Sequence, residues 1–514
     1  MLIEFNNIPY ANFQKKQRTY PPHRVIHAGI YYFCREFGLL RFSQAYPMED
    51  PFESQFDPEL IALVRHYEDM INHKEHHFFD VFEYEDIIDY YLYLNDLPSA
   101  LQCLKKALRQ HQNNPLILLK QVQYYIHMKK DHEALNLLDE LDHCDLTDSE
   151  FQVQKGNLYS QLERSEKAIQ SYKNALEGSD DQDDIYVSLA FEYENLGKYN
   201  QAIKYLTEAI RINPENEAAL FEVSFCFEIT RQSEKCIEFF RTFLDDHPYS
   251  KVSWFNLGVA YGNMEEFDKS VEAYDFAIAI DESFSSAYFN KANCYANAGM
   301  YEKAIQTYLE TLFYEDPEPL TYYYIGECYE KLCQFDYAID YYKKAITLDS
   351  DFADAWMGIG IAYDELGKPQ TALSYIRKAI KLSPAVPEYW SMLGDMYIKL
   401  NRFDEGIPAY KKAIEMNPDD PDVWLDLSVA YADARLYQEA YDVLLEGLKY
   451  HDENPDFFFG MAYYLFLLGR NKHANETLSK ALNMDFNGYK RLFIMFPEAQ
   501  HHPAVVEIIE AHKK

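Results

Sequence analysis

Several features are scarce or missing in this chain, and each absence excludes a class of function. Lys and Arg number 48 against 84 Asp and Glu, so the net charge is −36. A chain this acidic is repelled by nucleic acid and by anionic lipid head groups. No apolar run approaches the roughly 18 residues of a membrane span, and the first residues lack a secretion signal. We therefore expect a cytoplasmic protein that binds neither nucleic acid nor membranes.

Motifs for catalysis and metal binding are also missing. The eight Cys are scattered singly, without CxxC pairs or zinc-type spacing. There is no glycine-rich phosphate loop, nucleophile elbow or HExxH motif. His73, His76, His77 and Asp80 have spacing that suits a metal, but they fall in an expected turn, where polar residues collect anyway. We therefore predict that the chain is not an enzyme and holds no cofactor and no metal.

What the chain does contain is one pattern repeated every 34 residues. Twelve blocks counted from Val81 end at Gly488, and small residues fill position 20 in all of them. Position 11 is Tyr in ten blocks, and position 8 is Gly or another small residue in ten. Small residues allow two antiparallel helices to approach closely, and the large ring fills the remaining space. Each block therefore predicts a pair of helices that needs neighbouring pairs to bury both faces.

The pattern strongly resembles the tetratricopeptide repeat (TPR) family. Block 353–386 carries nearly the whole family signature, with Trp356, Ile359, Gly360, Tyr363, Ala372, Ala379 and Pro384. The resemblance covers about four-fifths of the chain. It implies an all-α, right-handed superhelical solenoid of about twelve 34-residue helix-turn-helix repeats with helical caps.

The two ends of the chain differ from the repeats. Residues 1–47 hold six basic residues (Lys15, Lys16, Arg18, Arg24, Arg35 and Arg41) against Glu4 and Glu36. They are interpreted either as a basic arm that docks on an acidic body or as a disordered tail or mis-called start, with the second favoured. Residues 48–80 predict a capping helix at about 58–73, residues 81–488 the twelve repeats, and residues 489–514 two C-terminal capping helices.

Candidate binding residues follow from the resemblance, because the first helices of TPR pairs line a concave groove. Positions 2, 5, 6, 9, 12 and 13 are expected to face it, and aromatic and Asn residues cluster there in the middle of the chain. An Asn amide offers a donor and an acceptor to a peptide backbone, and aromatic rings grip apolar side chains. The candidates are Phe221, Phe225, Phe255, Asn256, Val259, Phe289, Asn290, Asn293, Tyr323 and Glu327.

The alternative for these residues is that the rings pack between repeats and the Asn side chains face water. If the groove interpretation holds, the chain is a non-enzymatic scaffold that binds an extended, neutral or basic polypeptide. Two other functions stay open from the sequence. The solenoid could be architectural and self-associate, or it could be the regulatory subunit of an enzyme carried on another chain.

Overall fold

The computed structural model describes residues 57–73, 75–141, 148–176 and 182–513. The basic segment at residues 1–47 lies outside these ranges. Every secondary-structure element in the described ranges is helical. None of these helices combines the length and the apolar character needed to cross a lipid bilayer.

Twelve helix pairs follow one another, which confirms the predicted all-α repeat fold. The first helices are α2 (Val81–Tyr93), α4 (Pro115–His127), α6 (Ser149–Gln161), α8 (Gln182–Asn195), α10 (Glu217–Ile229), α12 (Lys251–Asn263), α14 (Ser285–Asn297), α16 (Pro319–Lys331), α18 (Ala353–Glu365), α20 (Pro387–Lys399), α22 (Pro421–Asp433) and α24 (Pro455–Leu467). The second helices are α3 (Leu97–Gln110), α5 (Asp131–Leu141), α7 (Ser165–Ala175), α9 (Tyr199–Ile212), α11 (Ser233–Asp246), α13 (Phe267–Ile280), α15 (Tyr301–Thr311), α17 (Phe335–Leu348), α19 (Pro369–Leu382), α21 (Phe403–Met416), α23 (Tyr437–Gly447) and α25 (Asn471–Met484).

The turn inside each pair has the same geometry in all twelve repeats. Position 15 has a positive φ of 54–75° throughout, yet it is Gly in only four repeats. The next amide donates to the carbonyl oxygen of position 11 at 2.8–3.0 Å, as in Glu266 to Tyr261. This is the Schellman motif that closes a helix with one left-handed residue. The turn therefore tolerates residues such as Glu265 and Arg435 at a conformational cost.

Close helix crossing inside each pair depends on small residues, as the sequence predicts. The position-20 residue is fully buried in most repeats, for example Ala304 and Ala372. In four repeats a Gly at position 8 also faces a Tyr at position 24. A Cβ on Gly258 would lie 2.6 Å from the ring of Tyr274. The glycine therefore makes room for a tyrosine that reaches across to the first helix.

A hydrogen bond from a tryptophan side chain joins neighbouring repeats at four places. All four Trp residues of the chain occupy position 4. Each indole N–H donates to a carbonyl oxygen six residues earlier, at 2.8–2.9 Å, as Trp254 does to Pro248. The large ring thus fixes the start of one repeat to the turn that ends the previous one.

The described residues form two compact units, the first ending at Asn290 and the second beginning at Lys291. In the first unit, α1 (Pro58–His73) precedes the first repeat, and the Asp57 carboxylate accepts from the Glu59 amide at 2.9 Å. Tyr67 of α1 is buried with Tyr84 and Tyr91 of the first repeat.

In the second unit, short helices follow the last repeat. They are η1 (Phe486–Gly488), α26 (Tyr489–Met495), η2 (Pro497–His501) and α27 (Pro503–His512). Phe496 stacks on Tyr463 with 4.6 Å between ring centroids, and Val505 and Ile509 of α27 are buried in the same core. These elements cover the apolar face that the final repeat would otherwise expose.

Candidate binding surface on the first helices

Half of the candidate residues are buried, beginning with the three Phe residues at position 5. Phe221 and Phe255 are each 4% exposed, and Phe289 is fully buried. The rings of Phe221 and Phe255 meet edge to face at 5.9 Å between centroids, and Phe255 also meets Phe284 at 5.2 Å. Because α10 and α12 belong to successive repeats, these two rings pack between repeats.

Two of the candidate Asn residues are buried as well, and each forms a hydrogen bond within the protein. The Asn256 amide donates to the carbonyl oxygen of Leu220 in the preceding repeat at 2.9 Å. The carbonyl oxygen of the Asn293 side chain accepts from the Tyr308 hydroxyl, while its Nδ2 has no partner among the described residues. Asn157 and Asp395 hold the same position in other repeats and accept from Tyr172 and Tyr410. Position 9 is therefore often the acceptor for the tyrosine at position 24.

The remaining first-unit candidates are partly exposed. Phe225 and Val259 lie at position 9 of successive repeats, and their helices α10 and α12 pack directly together. The Phe225 ring lies 6.5 Å from that of Tyr199. Asn290 donates from its Nδ2 to the carbonyl oxygen of Ser286 in its own helix at 2.9 Å, so the amide oxygen can accept a further bond.

In the second unit, Tyr323 and Glu327 form a pair on one helix face. The Tyr323 hydroxyl donates to Oε1 of Glu327 at 3.0 Å, and the ring packs 5.2 Å from Phe352. Burial and the nearby Glu330 carboxylate raise the pKa of Glu327 to about 7, and the tyrosine hydrogen bond opposes this. The pair thus places a half-buried carboxyl at the surface of α16.

The sequence reasoning missed Phe191, which lies at position 9 of the fourth repeat and is 51% exposed. Position 9 is polar in the first three repeats and again in repeats seven and eight, but it is Phe191, Phe225 and Val259 between them. That local change from polar to apolar was available in the sequence as a signal.

Acidic residues accompany these rings on α8 and α10. We call Phe191, Glu194, Glu222, Phe225 and Glu228 the acidic aromatic surface. Glu194 accepts from the Cys226 thiol at 3.2 Å, and no Lys or Arg in the described ranges lowers the pKa of Glu194, Glu222 or Glu228. Burial and the neighbouring Glu222 raise the pKa of Glu194 to about 7. Burial alone raises the pKa of Glu222, and it raises that of Glu228 to about 7.

These raised pKa values mean that the carboxylates lack compensation for their desolvation. A cationic group placed among them would supply it. The flanking rings of Phe191 and Phe225 would at the same time cover apolar parts of a ligand. The acidic aromatic surface can therefore attract a basic, partly apolar segment.

The His cluster near the start has ordinary contacts. The Nε2 of His77 lies 2.9 Å from Oε2 of Glu75, and Nδ1 of His73 lies 2.8 Å from the Asp69 carbonyl oxygen. No group of three or more His, Cys, Asp or Glu side chains in the described ranges has the geometry to hold a metal ion.

Family models match most of the repeat region. The tetratricopeptide repeat models match residues 149–177, 184–216 and 252–284. The model described as the C-terminal domain of cilia and flagella-associated protein 70 matches residues 271–491. No curated protein sequence matches the chain significantly.

Solved structures with a similar arrangement include other repeat proteins. The Cut9-Hcn1 hetero-tetramer of the APC/C is 16% identical, with 74% of this chain and 89% of that chain covered and a TM-score of 0.39. YrrB, described as a TPR protein with an unusual peptide-binding site, is 21% identical over 36% of this chain and 95% of its own, with a TM-score of 0.30.

A third such structure is the C-terminal part of a TPR repeat-containing protein from Cytophaga hutchinsonii. It is 20% identical over 47% of this chain and 99% of its own, with a TM-score of 0.38. The repeat pattern, the twelve helix pairs and the matching repeat models agree. The chain therefore belongs to the tetratricopeptide repeat family, which implies a protein–protein interaction scaffold.

Proposed function

We propose that this chain is a non-catalytic scaffold that binds an extended, neutral or basic polypeptide along the first helices of its repeats. The observation that carries the proposal is the acidic aromatic surface, where partly exposed rings lie among carboxylates that lack basic partners. A scaffold of this kind recognises its ligand by charge and apolar contact and does not catalyse a reaction on it.

The surface favours a ligand with both basic and apolar side chains. A Lys or Arg side chain near Glu222 or Glu228 gains Coulomb energy and relieves the desolvation of the carboxylate. Burying an apolar side chain against Phe191 or Phe225 contributes about 25 cal/mol per Å² of area removed from water. Val259 and Asn290 extend the same face along successive first helices, with an apolar group and a peptide-type acceptor.

The test is selection of unstructured dodecapeptides from a displayed random library on the full-length chain. Selected peptides are expected to carry two or more Lys or Arg together with large apolar residues. The double variant F191A/F225A is expected to bind them at least tenfold more weakly in titration calorimetry, because hot-spot aromatics contribute most of such binding energy.

The matched control is Y337A, which removes a ring that is 58% exposed on a second helix. Equal affinity of F191A/F225A, Y337A and the unmodified chain would refute the proposal. Light scattering of the chain without peptide separates the architectural alternative, because a self-associating solenoid forms larger species alone. Selection of acidic peptides would also contradict the proposal.

A further inference from the structure

We propose that a cavity lined by α1, α2 and α4 binds a primary ammonium group at the end of an alkyl chain. The cavity has a volume of about 390 Å³ and lies within the first unit. Small-molecule sites in proteins have volumes of this order. The proposal goes beyond the proposed function, because the cavity shares no residue with the acidic aromatic surface and takes a single amine.

Apolar and aromatic side chains form part of the cavity wall. Leu60 of α1 lines it together with Tyr90 and Tyr93 of α2. The Tyr90 ring meets Tyr91 edge to face with 5.5 Å between centroids, and it packs partly buried against the core. Tyr93 is 68% exposed, and exposed side chains change rotamer within nanoseconds. Such a wall suits an alkyl chain, and the ring faces attract a cation.

Carboxylates outnumber cations beside these rings. Asp86 and Asp89 line the cavity three residues apart on α2, a spacing that places two side chains side by side on a helix. Glu85, the residue before Asp86, is only 7% exposed. Lys120 Nζ lies 2.6 Å from Oδ2 of Asp89 and 3.8 Å from Oε1 of Glu85. One lysine therefore pairs with two of the three carboxylates.

The pKa values agree with this excess of negative charge. Burial raises the pKa of Asp86, the neighbouring Asp89 adds to the rise, and Lys120 opposes it. Burial also raises the pKa of Glu85, again against the charge of Lys120. Lys120 is the only cation among the described residues that lowers either pKa. A second cation in the cavity would stabilise the ionised carboxylates.

The polar groups of the cavity favour a primary ammonium over other cations. Nδ1 of His127 lies 3.0 Å from the carbonyl oxygen of Gln123, so Nδ1 carries the proton and Nε2 of the neutral ring can accept. An ammonium has three rotatable donors for such separate acceptors, whereas a trimethylammonium group has none. A guanidinium prefers both oxygens of one carboxylate. Asp89 cannot offer both, because Oδ2 accepts from Lys120 and Oδ1 is buried.

The test is saturation-transfer NMR of the full-length chain with three probes. Pentylamine carries the proposed group, pentyltrimethylammonium has the same chain without N–H donors, and Nα-acetyl-lysine methylamide represents the lysine side chain of a partner protein. Pentylamine is expected to saturate one site and to bind severalfold more tightly than its trimethylated analogue. Tighter binding of the lysine derivative than of pentylamine would identify a partner's lysine as the source of the amine, and the reverse order would identify a free alkylamine.

Variants make the result specific to the cavity. D86N removes a charge beside the ammonium and should weaken pentylamine about tenfold, and Y93A should weaken it severalfold. Both residues are exposed, so neither change should disturb the fold. The control D245N/D246N, which neutralises two exposed carboxylates on α11, should leave binding unchanged, as should F191A/F225A.

Three results would overturn the proposal. The first is equal affinity of D86N and the unmodified chain for pentylamine, and the second is an equal loss in D86N and D245N/D246N, which would indicate unspecific attraction to an acidic protein. The third is equal affinity for pentylamine and pentyltrimethylammonium, because the site would then not use the N–H donors.

Discussion

Position 12 of the repeat carries a carboxylate twice in the first unit and twice in the second, and the two regions treat it differently. In the second unit, Glu330 accepts from the Tyr342 hydroxyl at 2.9 Å, and Asp364 pairs with Lys399 at 2.5 Å. In the first unit, Glu194 accepts only from a thiol, and Glu228 has no partner among the described residues. Position 12 thus holds a carboxylate with a hydroxyl or lysine partner in one region and a carboxylate without such a partner among the described residues in the other.

The hydroxyl oxygen of Tyr342 accounts for part of this difference. Tyr342 occupies position 24, and the equivalent residues in the repeats of Glu194 and Glu228 are Leu206 and Phe240. Both are fully buried, and neither can donate a hydrogen bond. A buried carboxylate whose repeat has Leu or Phe at position 24 therefore receives no hydrogen bond from that position, and its pKa rises. If the acidic aromatic surface binds a ligand as proposed, its carboxylates are those that lack the hydrogen bond from position 24 of their own repeat.

The largest expected effect comes from breaking the ion pair of the second unit. The Asp364 side chain is only 3% exposed, so K399M would remove the ion-pair partner of a buried carboxylate at a cost of about 3 kcal/mol. Hydrogen exchange of the α18 amides is the suitable measurement, since long repeat arrays depart from two-state unfolding. The control K381M removes an exposed lysine at the end of α19 and should change the exchange little. Equal effects of both variants would contradict the structural role of the pair.

The next effect concerns ligand affinity. E222Q/E228Q should weaken a selected Lys-containing peptide about tenfold, or about 1.4 kcal/mol, whereas the matched pair D354N/D395N should not. Because the carboxylates ionise as pH rises through about 7 for Glu228, affinity of the unmodified chain should increase between pH 5 and pH 8. Titration calorimetry at both pH values checks this, and a pH profile that persists in E222Q/E228Q would argue against these residues.

Exchanging the residues at position 24 tests the comparison directly. F240Y should supply a hydroxyl to Glu228 and stabilise the fold by about 1 kcal/mol at pH 8, while Y342F should cost about as much. The sign depends on pH: a carboxyl whose folded pKa is raised to about 7 contributes full stability below about 4.5 and loses it as pH rises through 7. The gain of F240Y should therefore be small at pH 5. Hydrogen exchange of α10 at both pH values measures it, and a gain independent of pH would exclude this mechanism.

The smallest effects should be equal in the two regions, because they concern a turn that both share. R231G and R435G remove the left-handed strain at position 15 and should each raise stability by about 0.5–1 kcal/mol. G197A and G469A should lower it by about 1 kcal/mol, since a Cβ meets no atom there and only φ is unfavourable. Hydrogen exchange of the helices that flank each turn measures the four variants, since long repeat arrays depart from two-state unfolding. Different results in the two units would mean that the turns are not equivalent.

The site was harder to predict from the sequence than the fold. The helix pairs could be predicted from the 34-residue period, because small residues at fixed positions indicate where two helices pack closely. It could not show that Asn293 would bond Tyr308, or that Phe255 would be buried between repeats. On one helix, a side chain that points toward a ligand and a side chain that points toward the next repeat can be only about one residue apart in the sequence. A pattern of residue types does not distinguish the two directions.

The sequence by itself determined the repeat, because its packing requirements are local and recur within 34 residues. Gly258 opposite Tyr274, Trp254 on the Pro248 carbonyl and the turn at Glu265 all connect residues close in the chain. Only the tertiary structure decided which of the candidate residues stay accessible, since that depends on contacts between successive repeats. Phe221 is covered by the Phe255 ring of the next repeat, whereas Phe191 is 51% exposed. Glu228 is buried enough to raise its pKa, and position 24 of its repeat is Phe240, which carries no hydroxyl.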